Sequence, residues 1–235
     1  MSTVKASCLV CGEPLQYFEE AREVTCAVCG KHEAARAVCR EGHYVCDACH
    51  RKEGVDLVMA RCASTDSRNP IEIAQDLMAE KAIYPNGPEH HTLVGAALLA
   101  AYRNAGGEID LDRALAELRE RSLNVPGGAC GFWGTCGAAV SAGMYLSIVT
   151  GSTPLTAEPW AQVQGLTARI LGRLAEIGGP RCCKRTSFTA IQTSVNYTAE
   201  VLGVRMELPG RIVCTFAARN AECIGARCPY SRGAA

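Results

Sequence analysis

The sequence predicts a mainly α-helical protein in which a small Cys/His-rich module of zinc-ribbon or treble-clef type precedes a helical domain. Up to residue 66, cysteine and histidine are dense and apolar residues come singly. From residue 67 onward, apolar residues recur at intervals of three and four, the spacing that buries one face of a helix. Cysteine is abundant in both parts, with 15 in 235 residues. We therefore expect two domains, 1–66 and 67–235.

Composition and charge exclude several classes of protein. Apolar residues make up 48% and charged residues 20% of the chain, which is typical of a folded globular protein. Acidic and basic residues balance at 24 each, which argues against a nucleic-acid partner. The longest apolar run, 136–149, is too short and too rich in Gly, Ser and Thr to span a membrane. Residues 1–14 lack the apolar core of a secretory signal, so we expect a cytoplasmic protein with reduced thiols.

Six helices are expected in the second domain. The first begins at Pro70, a residue type that favours the first turn of a helix. The others are expected at 92–104, 110–121, 135–150, 160–177 and 183–202, followed by an extended segment at 211–216. No charged residue lies between Arg121 and Glu158. Because a helix without a polar face is normally buried, we expect the helix in this stretch to be packed on all sides.

Four closely spaced pairs of metal-ligand residues dominate the first domain. They are Cys8/Cys11, Cys26/Cys29, Cys39/His43 and Cys46/Cys49. A Cys-x2-Cys turn holds two thiolates on one side of a metal ion, and two such pairs complete a tetrahedral zinc site. A short segment with so few apolar residues also needs such a staple to fold. The sequence therefore predicts two structural zinc ions.

The spacing leaves two pairings of these ligands open. In a sequential arrangement each ion takes neighbouring pairs along the chain. In a cross-brace the first and third pairs share one ion, and the second and fourth share the other. Residues 26–50 resemble the first half of a RING-type or treble-clef finger, which favours the cross-brace. Because four-ligand zinc sites are closed, we expect the module to bind a protein partner or a second copy of the chain.

The cysteines of the second domain follow a different pattern. Two Gly-rich stretches place cysteine at a predicted helix start, where the helix N-terminus stabilises thiolates and other anions. This placement favours an iron–sulfur cluster held by dispersed ligands, with reactive metal-free thiols and buried structural cysteines as the other interpretations. The candidate ligands of one [4Fe-4S] cluster are Cys130, Cys136, Cys183, Cys223 and Cys228.

Charged residues surround the adjacent cysteines at the last predicted helix start. Cys182 is a candidate nucleophile, since two neighbouring cysteines seldom bind one metal. Lys184 is a candidate catalytic residue that would favour its thiolate. Arg181 and Arg185 are candidates for binding a small anionic substrate.

A second polar cluster, Glu89-His90-His91, begins an otherwise apolar helix. Neighbouring residues of a helix point in different directions, so only one of the two histidines can face the interior. We take His91 as the first candidate for a general base and His90 as the second, with Glu89 orienting the ring. The alternative interpretation is a capping acid beside a core histidine.

Four segments of the second domain together resemble an uncharacterised prokaryotic family. They are PEHHTLVGAALLAAY, GGACGFWGTCGAAVSAG, GGPRCCKR and CIGARCP, and the resemblance covers about residues 70–230. The family is catalogued as a domain of unknown function (number 5714) from anaerobic bacteria and archaea, sometimes attached to methyltransferase or radical-SAM modules. The resemblance implies that His91 and the cysteines of these segments occupy motif positions. It implies no reaction, because the family has no assigned activity.

These observations lead to a first hypothesis and two alternatives. The first is an oxygen-sensitive iron–sulfur enzyme of sulfur-transfer, desulfuration or lyase type, with structural zinc in the N-terminal module. One alternative is a zinc-binding interaction module without catalysis. The other is a thiol redox or metal-handling protein.

Overall fold

The computed structural model describes residues 8–233, and within that range the protein is mainly α-helical, as predicted. Two antiparallel strands, β1 (Leu15–Thr25) and β2 (His32–Cys39), form the one sheet of the described range. Eight α-helices follow: α1 (Asp47–Ser64), α2 (Pro70–Ala79), α3 (His90–Asn104), α4 (Leu111–Ser122), α5 (Ala129–Phe132), α6 (Gly137–Thr150), α7 (Glu158–Ile177) and α8 (Cys183–Leu202).

The N-terminal hairpin buries little apolar surface. Its strands pair from Leu15 opposite Cys39 to Thr25 opposite His32, with an irregularity between Tyr17 and Arg22. Most residues of β1 are exposed, so the strands have no hydrophobic core of their own. A hairpin this small is marginal in water without further support, which a metal ion at the Cys/His residues beside it would supply.

Helix α1 connects the Cys/His-rich module to the helical domain. It begins directly after Cys46, and its buried residues include Val55, Val58 and Cys62. Val58 and Cys62 belong to the main hydrophobic core of the helical domain. This helix was not predicted from the sequence, because its first turn carries metal-ligand residues.

The six predicted helices are present with ends shifted by at most a few residues. Helix α3 lies at the centre and packs against α1, α2, α4, α6 and α8. The charge-free helix α6 is buried along most of its length, as expected. Residues 211–216 pair with no strand in the described range, but the N–H group of Cys214 donates to the carbonyl oxygen of Tyr230 at 2.7 Å. None of the helices between residues 8 and 233 combines the length and apolarity that crossing a bilayer demands.

The close packing of α3 on its neighbours depends on Gly95. A Cβ atom at this position would lie 2.7 Å from Leu118 and 3.0 Å from the carbonyl oxygen of Ser141. A Cβ atom on Gly172, which lies on the exposed side of α7, would have no neighbouring atom within 4 Å.

We predict opposite effects of alanine at these two glycines. Gly95→Ala should lower the free energy of unfolding by about 1–3 kcal/mol, because the added methyl group overpacks the core. Gly172→Ala should raise it by about 0.5–1 kcal/mol, because alanine favours the helix and meets no neighbour. Urea denaturation of both variants tests this. Equal stability of the two would contradict the assigned α3 packing.

Candidate metal and thiol sites

The eight N-terminal ligand residues converge in two groups of four. Cys8, Cys11, Cys39 and His43 form the first group. Cys26, Cys29, Cys46 and Cys49 form the second. Within each group the ligand atoms all lie within 4.8 Å of one another. The first and third pairs thus share one site and the second and fourth share the other, which is the cross-brace arrangement.

Backbone N–H groups prepare several of these sulfur atoms to bind a cation. The N–H group of Val10 donates to Cys8 Sγ at 3.3 Å, and that of His43 donates to Cys39 Sγ at 3.2 Å. The N–H group of Cys46 donates to Cys26 Sγ at 3.3 Å. Burial opposes ionisation of Cys26, but backbone N–H groups outweigh it and lower the pKa of this thiol to about 6. Each group therefore offers a closed tetrahedral donor set that suits a metal ion such as zinc.

The second ligand group brings side chains of α1 into contact with the helical domain. Asp47, next to Cys46, accepts a hydrogen bond from the N–H group of Gly127 at 2.5 Å. Arg51, one turn later, donates to the carbonyl oxygen of Leu123 at 2.5 Å. The module therefore abuts the Gly-rich loop that carries Cys130 and Cys136.

Strand β1 makes a separate contact with the start of α8. Arg181 donates to the Tyr17 hydroxyl at 2.7 Å. This contact occupies one of the two arginines that we expected to bind a substrate.

The cysteines of the helical domain separate into two sets. Cys182, Cys214, Cys223 and Cys228 line one small, mainly apolar cavity at the N-terminus of α8. The predicted ligands Cys130, Cys136 and Cys183 lie outside this lining. The structure thus places the expected nucleophile Cys182, and not Cys183, beside Cys223 and Cys228.

Cys214 is the site residue that sequence reasoning missed. It has no neighbouring cysteine and no Gly-rich helix start, which were the signals used for the others. The hydrogen bond from its N–H group to Tyr230 holds it beside the chain that carries Cys228. Burial foremost, and then the neighbouring thiols of Cys182, Cys228 and Cys223, raise the pKa of Cys214.

Two buried cationic side chains also line this cavity. Lys184 is 2% exposed and Arg185 is 4% exposed. Arg185 donates to the carbonyl oxygens of Gly178 at 3.0 Å and Pro180 at 2.5 Å. At the N-terminus of α8 the N–H group of Arg185 also faces Cys182 Sγ at 3.5 Å. The lining thus brings together four thiols, two buried cations and one N–H group of the α8 N-terminus.

Lys184 belongs to a buried polar network with His90 and Glu89. Its Nζ donates to the carbonyl oxygen of Tyr84 at 2.6 Å and lies 3.0 Å from His90 Nε2. His90 Nδ1 lies 3.1 Å from the carbonyl oxygen of Gly87. Burial and the Lys184 ammonium lower the pKa of His90 to about 4. The network therefore assigns a neutral ring with its proton on Nδ1 and Nε2 accepting from Lys184.

Glu89 and His91 occupy places that neighbouring glycines leave free. A Cβ atom on Gly87 would lie 2.1 Å from Glu89 Oε2, and one on Gly137 would lie 2.1 Å from the His91 ring. Glu89 is fully buried, and its Oε2 has no hydrogen-bond partner within residues 8–233. His91 Nδ1 lies 3.2 Å from the carbonyl oxygen of Val125. The fully buried histidine is thus His90, and the general-base role expected of His91 stays a prediction.

The grouping of the N-terminal ligands predicts a pattern of zinc loss. A Cys11→Ser/Cys29→Ser double variant should lose both ions, because each substitution removes a ligand from a different site. A Cys11→Ser/Cys39→Ser variant should lose the first ion only, because both ligands belong to one site. Zinc per chain, measured by mass spectrometry of the purified variants, checks this. Retention of one ion in the Cys11/Cys29 variant would contradict the cross-brace.

His90 predicts a pH dependence of stability. The unfolded chain takes up the histidine proton near pH 6.5, whereas folded His90 does so only near its lowered pKa of about 4. Stability present above pH 6.5 is therefore lost as the pH falls toward 4, by up to about 3 kcal/mol from this group. His90→Gln should remove this part of the loss in denaturation curves at several pH values. Parallel pH profiles of the variant and the natural chain would contradict the assignment.

Comparison with known proteins places the helical domain in one family. No curated protein and no solved structure matches the chain. The sequence profile of a family of unknown function (DUF5714) matches residues 58–231, which include both cysteine sets and the last turns of α1. The resemblance predicted from the four sequence segments is confirmed, and the chain belongs to this family of unknown function.

Proposed function

We propose that the protein is an iron–sulfur enzyme of sulfur-transfer type whose N-terminal module is held by two structural zinc ions. The observation that carries the proposal is the cavity lined by Cys182, Cys214, Cys223 and Cys228 together with two buried cations. Four thiolates on different segments are the ligand set of a [4Fe-4S] cluster. When bound, such a cluster supplies electron transfer at a potential that its surroundings tune.

The charges at the cavity support an anionic cluster. Lys184 and Arg185 are nearly inaccessible to water, and their side chains donate to carbonyl oxygens and a neutral imidazole. The buried Glu89 carboxylate near Lys184 offsets one of these two positive charges. A buried charge is costly unless it is paired, so the remaining one favours an anion at the four thiols.

The four thiols of the cavity do not meet the spacing expected of ligands of one metal ion. In each N-terminal group the ligand atoms lie within 4.8 Å of one another, as ligands of one ion must. Among residues 8–233, only the two N-terminal groups meet that limit, and the four-cysteine cavity does not. In a cuboidal cluster each thiolate binds its own iron, so the sulfur atoms stand farther apart.

The number of thiols favours sulfur transfer over a lyase reaction. A lyase that uses the cluster as a Lewis acid needs an iron with an open coordination position. Four cysteine ligands leave none, and the thiols of Cys130, Cys136 and Cys183 remain outside the cavity for sulfur chemistry. None of the fifteen cysteines, all of which lie within residues 8–233, forms a disulfide, which fits the reducing cytoplasm that we propose as its compartment.

Serine variants of the two adjacent cysteines test the proposal. Protein purified without oxygen should contain about four iron and about four sulfide per chain. Cys182→Ser should lose most of this iron, whereas Cys183→Ser, its matched control, should keep it. Both variants should retain the zinc of the N-terminal module, because neither substitution removes a zinc ligand. The iron, zinc and sulfide contents of the natural chain and both variants, together with their visible absorption spectra, test these expectations.

Two results would overturn this assignment. Zinc without iron or sulfide in oxygen-free preparations would favour a zinc-binding interaction module. Loss of most of the iron in Cys183→Ser, with full iron in Cys182→Ser, would favour the ligand set expected from the sequence.

A further inference from the structure

A second cavity lies between α7 and the second half of α8, away from the adjacent cysteines at the start of α8. Its volume is about 270 Å³, and it shares no lining residue with the four-cysteine cavity. The polar and aromatic side chains around it come from both helices. They are Arg169, Arg173 and Glu176 of α7, and Thr193, Asn196 and Tyr197 of α8. This α7–α8 cavity is therefore separate from the candidate sites described above.

Two opposite charges at the α7–α8 cavity have no partner. Arg173 and Glu176 are exposed, and neither makes a hydrogen bond or an ion pair within residues 8–233. They lie three residues apart on α7, a spacing at which opposite charges often pair. Because they do not pair here, a guanidinium and a carboxylate are both available to one ligand.

The other arginine of the cavity is already neutralised. Arg169 donates to both carboxylate oxygens of Glu200, at 2.7 and 3.1 Å. Its guanidinium carbon also lies 4.6 Å from the centroid of the Tyr197 ring. A bidentate pair that stacks on a ring holds the guanidinium in one place. The charges left at the cavity are one positive and one negative, so the ligand that satisfies both is a zwitterion.

Thr193 adds a buried polar group without a partner. Its side chain is 5% exposed, and its Oγ1 atom makes no hydrogen bond within residues 8–233. A buried hydroxyl that lacks a partner costs free energy. A polar group of a ligand in the cavity would remove this cost.

We propose that the α7–α8 cavity binds a free α-amino acid, with its carboxylate at Arg173 and its ammonium group at Glu176. The Cβ atoms of residues three apart on a helix are about 5–6 Å from each other. The two charges of the ligand must therefore be close together, as they are on the single central carbon of an α-amino acid. Pockets for drug-sized ligands measure roughly 300–1,000 Å³, so the size of this cavity fits a smaller molecule. The proposal does not depend on the iron–sulfur site.

Calorimetric titration of the full, metal-loaded chain tests this site. The probes are the common L-amino acids, each titrated alone. The amino acid that binds most tightly is then compared with two analogues, the amine that lacks its carboxylate and the acid that lacks its ammonium group. The natural chain should bind each analogue about tenfold more weakly or worse, because each loses one charge-assisted contact.

Substitutions at the two unpaired charges should each remove one of these preferences. Arg173→Gln should bind the amino acid no better than the amine, and Glu176→Gln should bind it no better than the acid. Both residues are exposed, so both variants should fold, which urea denaturation checks. Arg113→Gln is the matched control, since Arg113 is an exposed arginine of α4 outside the cavity, and it should bind like the natural chain.

Three results would overturn the proposal. The first is a natural chain that binds no amino acid. The second is binding of the acid analogue, or of inorganic phosphate, as tightly as the amino acid, which would make the cavity a simple anion site. The third is unchanged binding of the amino acid in Arg173→Gln, which would place it elsewhere.

The iron content of the same samples separates this proposal from the iron–sulfur assignment. Binding of an amino acid by a chain without iron would support the α7–α8 site and refute the cluster. Iron and sulfide in a chain that binds no amino acid would do the reverse.

Discussion

The divergence of two adjacent cysteines at the start of α8 separates the thiols of the helical domain into two sets. Cys182 is the residue just before the helix, with extended backbone, and Cys183 is the first helical residue. Their side chains therefore leave the chain in different directions. Cys182 joins the cavity with Cys214, Cys223 and Cys228, whereas Cys183 lies outside its lining. One helix end thereby places two adjacent cysteines in different surroundings.

The N-terminal module contributes to the same region through α1. A metal ion at Cys26, Cys29, Cys46 and Cys49 would fix the beginning of that helix, because Cys46 precedes it and Cys49 lies in its first turn. Asp47 and Arg51 then contact the loop before α5, and the far end of α1 packs in the helical core. The module is thus joined to the candidate site by hydrogen bonds as well as by the chain. Loss of the second metal should loosen the loop that carries Cys130 and Cys136.

Much of this architecture could be predicted from residue spacing. Apolar intervals of three and four identify the six long helices, since burial of one face dominates their formation. The Cys-x2-Cys pairs identify the eight N-terminal ligands, because that turn geometry is local. Helix α1 was missed, because ligand residues in its first turn mask the helical pattern.

The cysteine sets of the helical domain depend on contacts that sequence spacing does not contain. The position of Cys214 at the cavity depends on long-range contacts such as the hydrogen bond between its backbone and that of Tyr230. The sequence predicts that only one of the two adjacent histidines faces the interior. That this histidine is His90 depends on Lys184, which approaches from α8 and lies 94 residues away in the chain. The choice between Cys182 and Cys183 likewise depends on where α8 begins, and helix ends are the least predictable part of an element.

X-ray absorption spectroscopy of the oxygen-free, purified chain tests the central claim most directly, because it reports each metal separately. The account predicts iron surrounded by sulfur with a neighbouring iron, and zinc surrounded by sulfur with a minor nitrogen contribution from His43. Iron bound mainly by oxygen or nitrogen, or zinc as the occupant of the four-cysteine cavity, would contradict it.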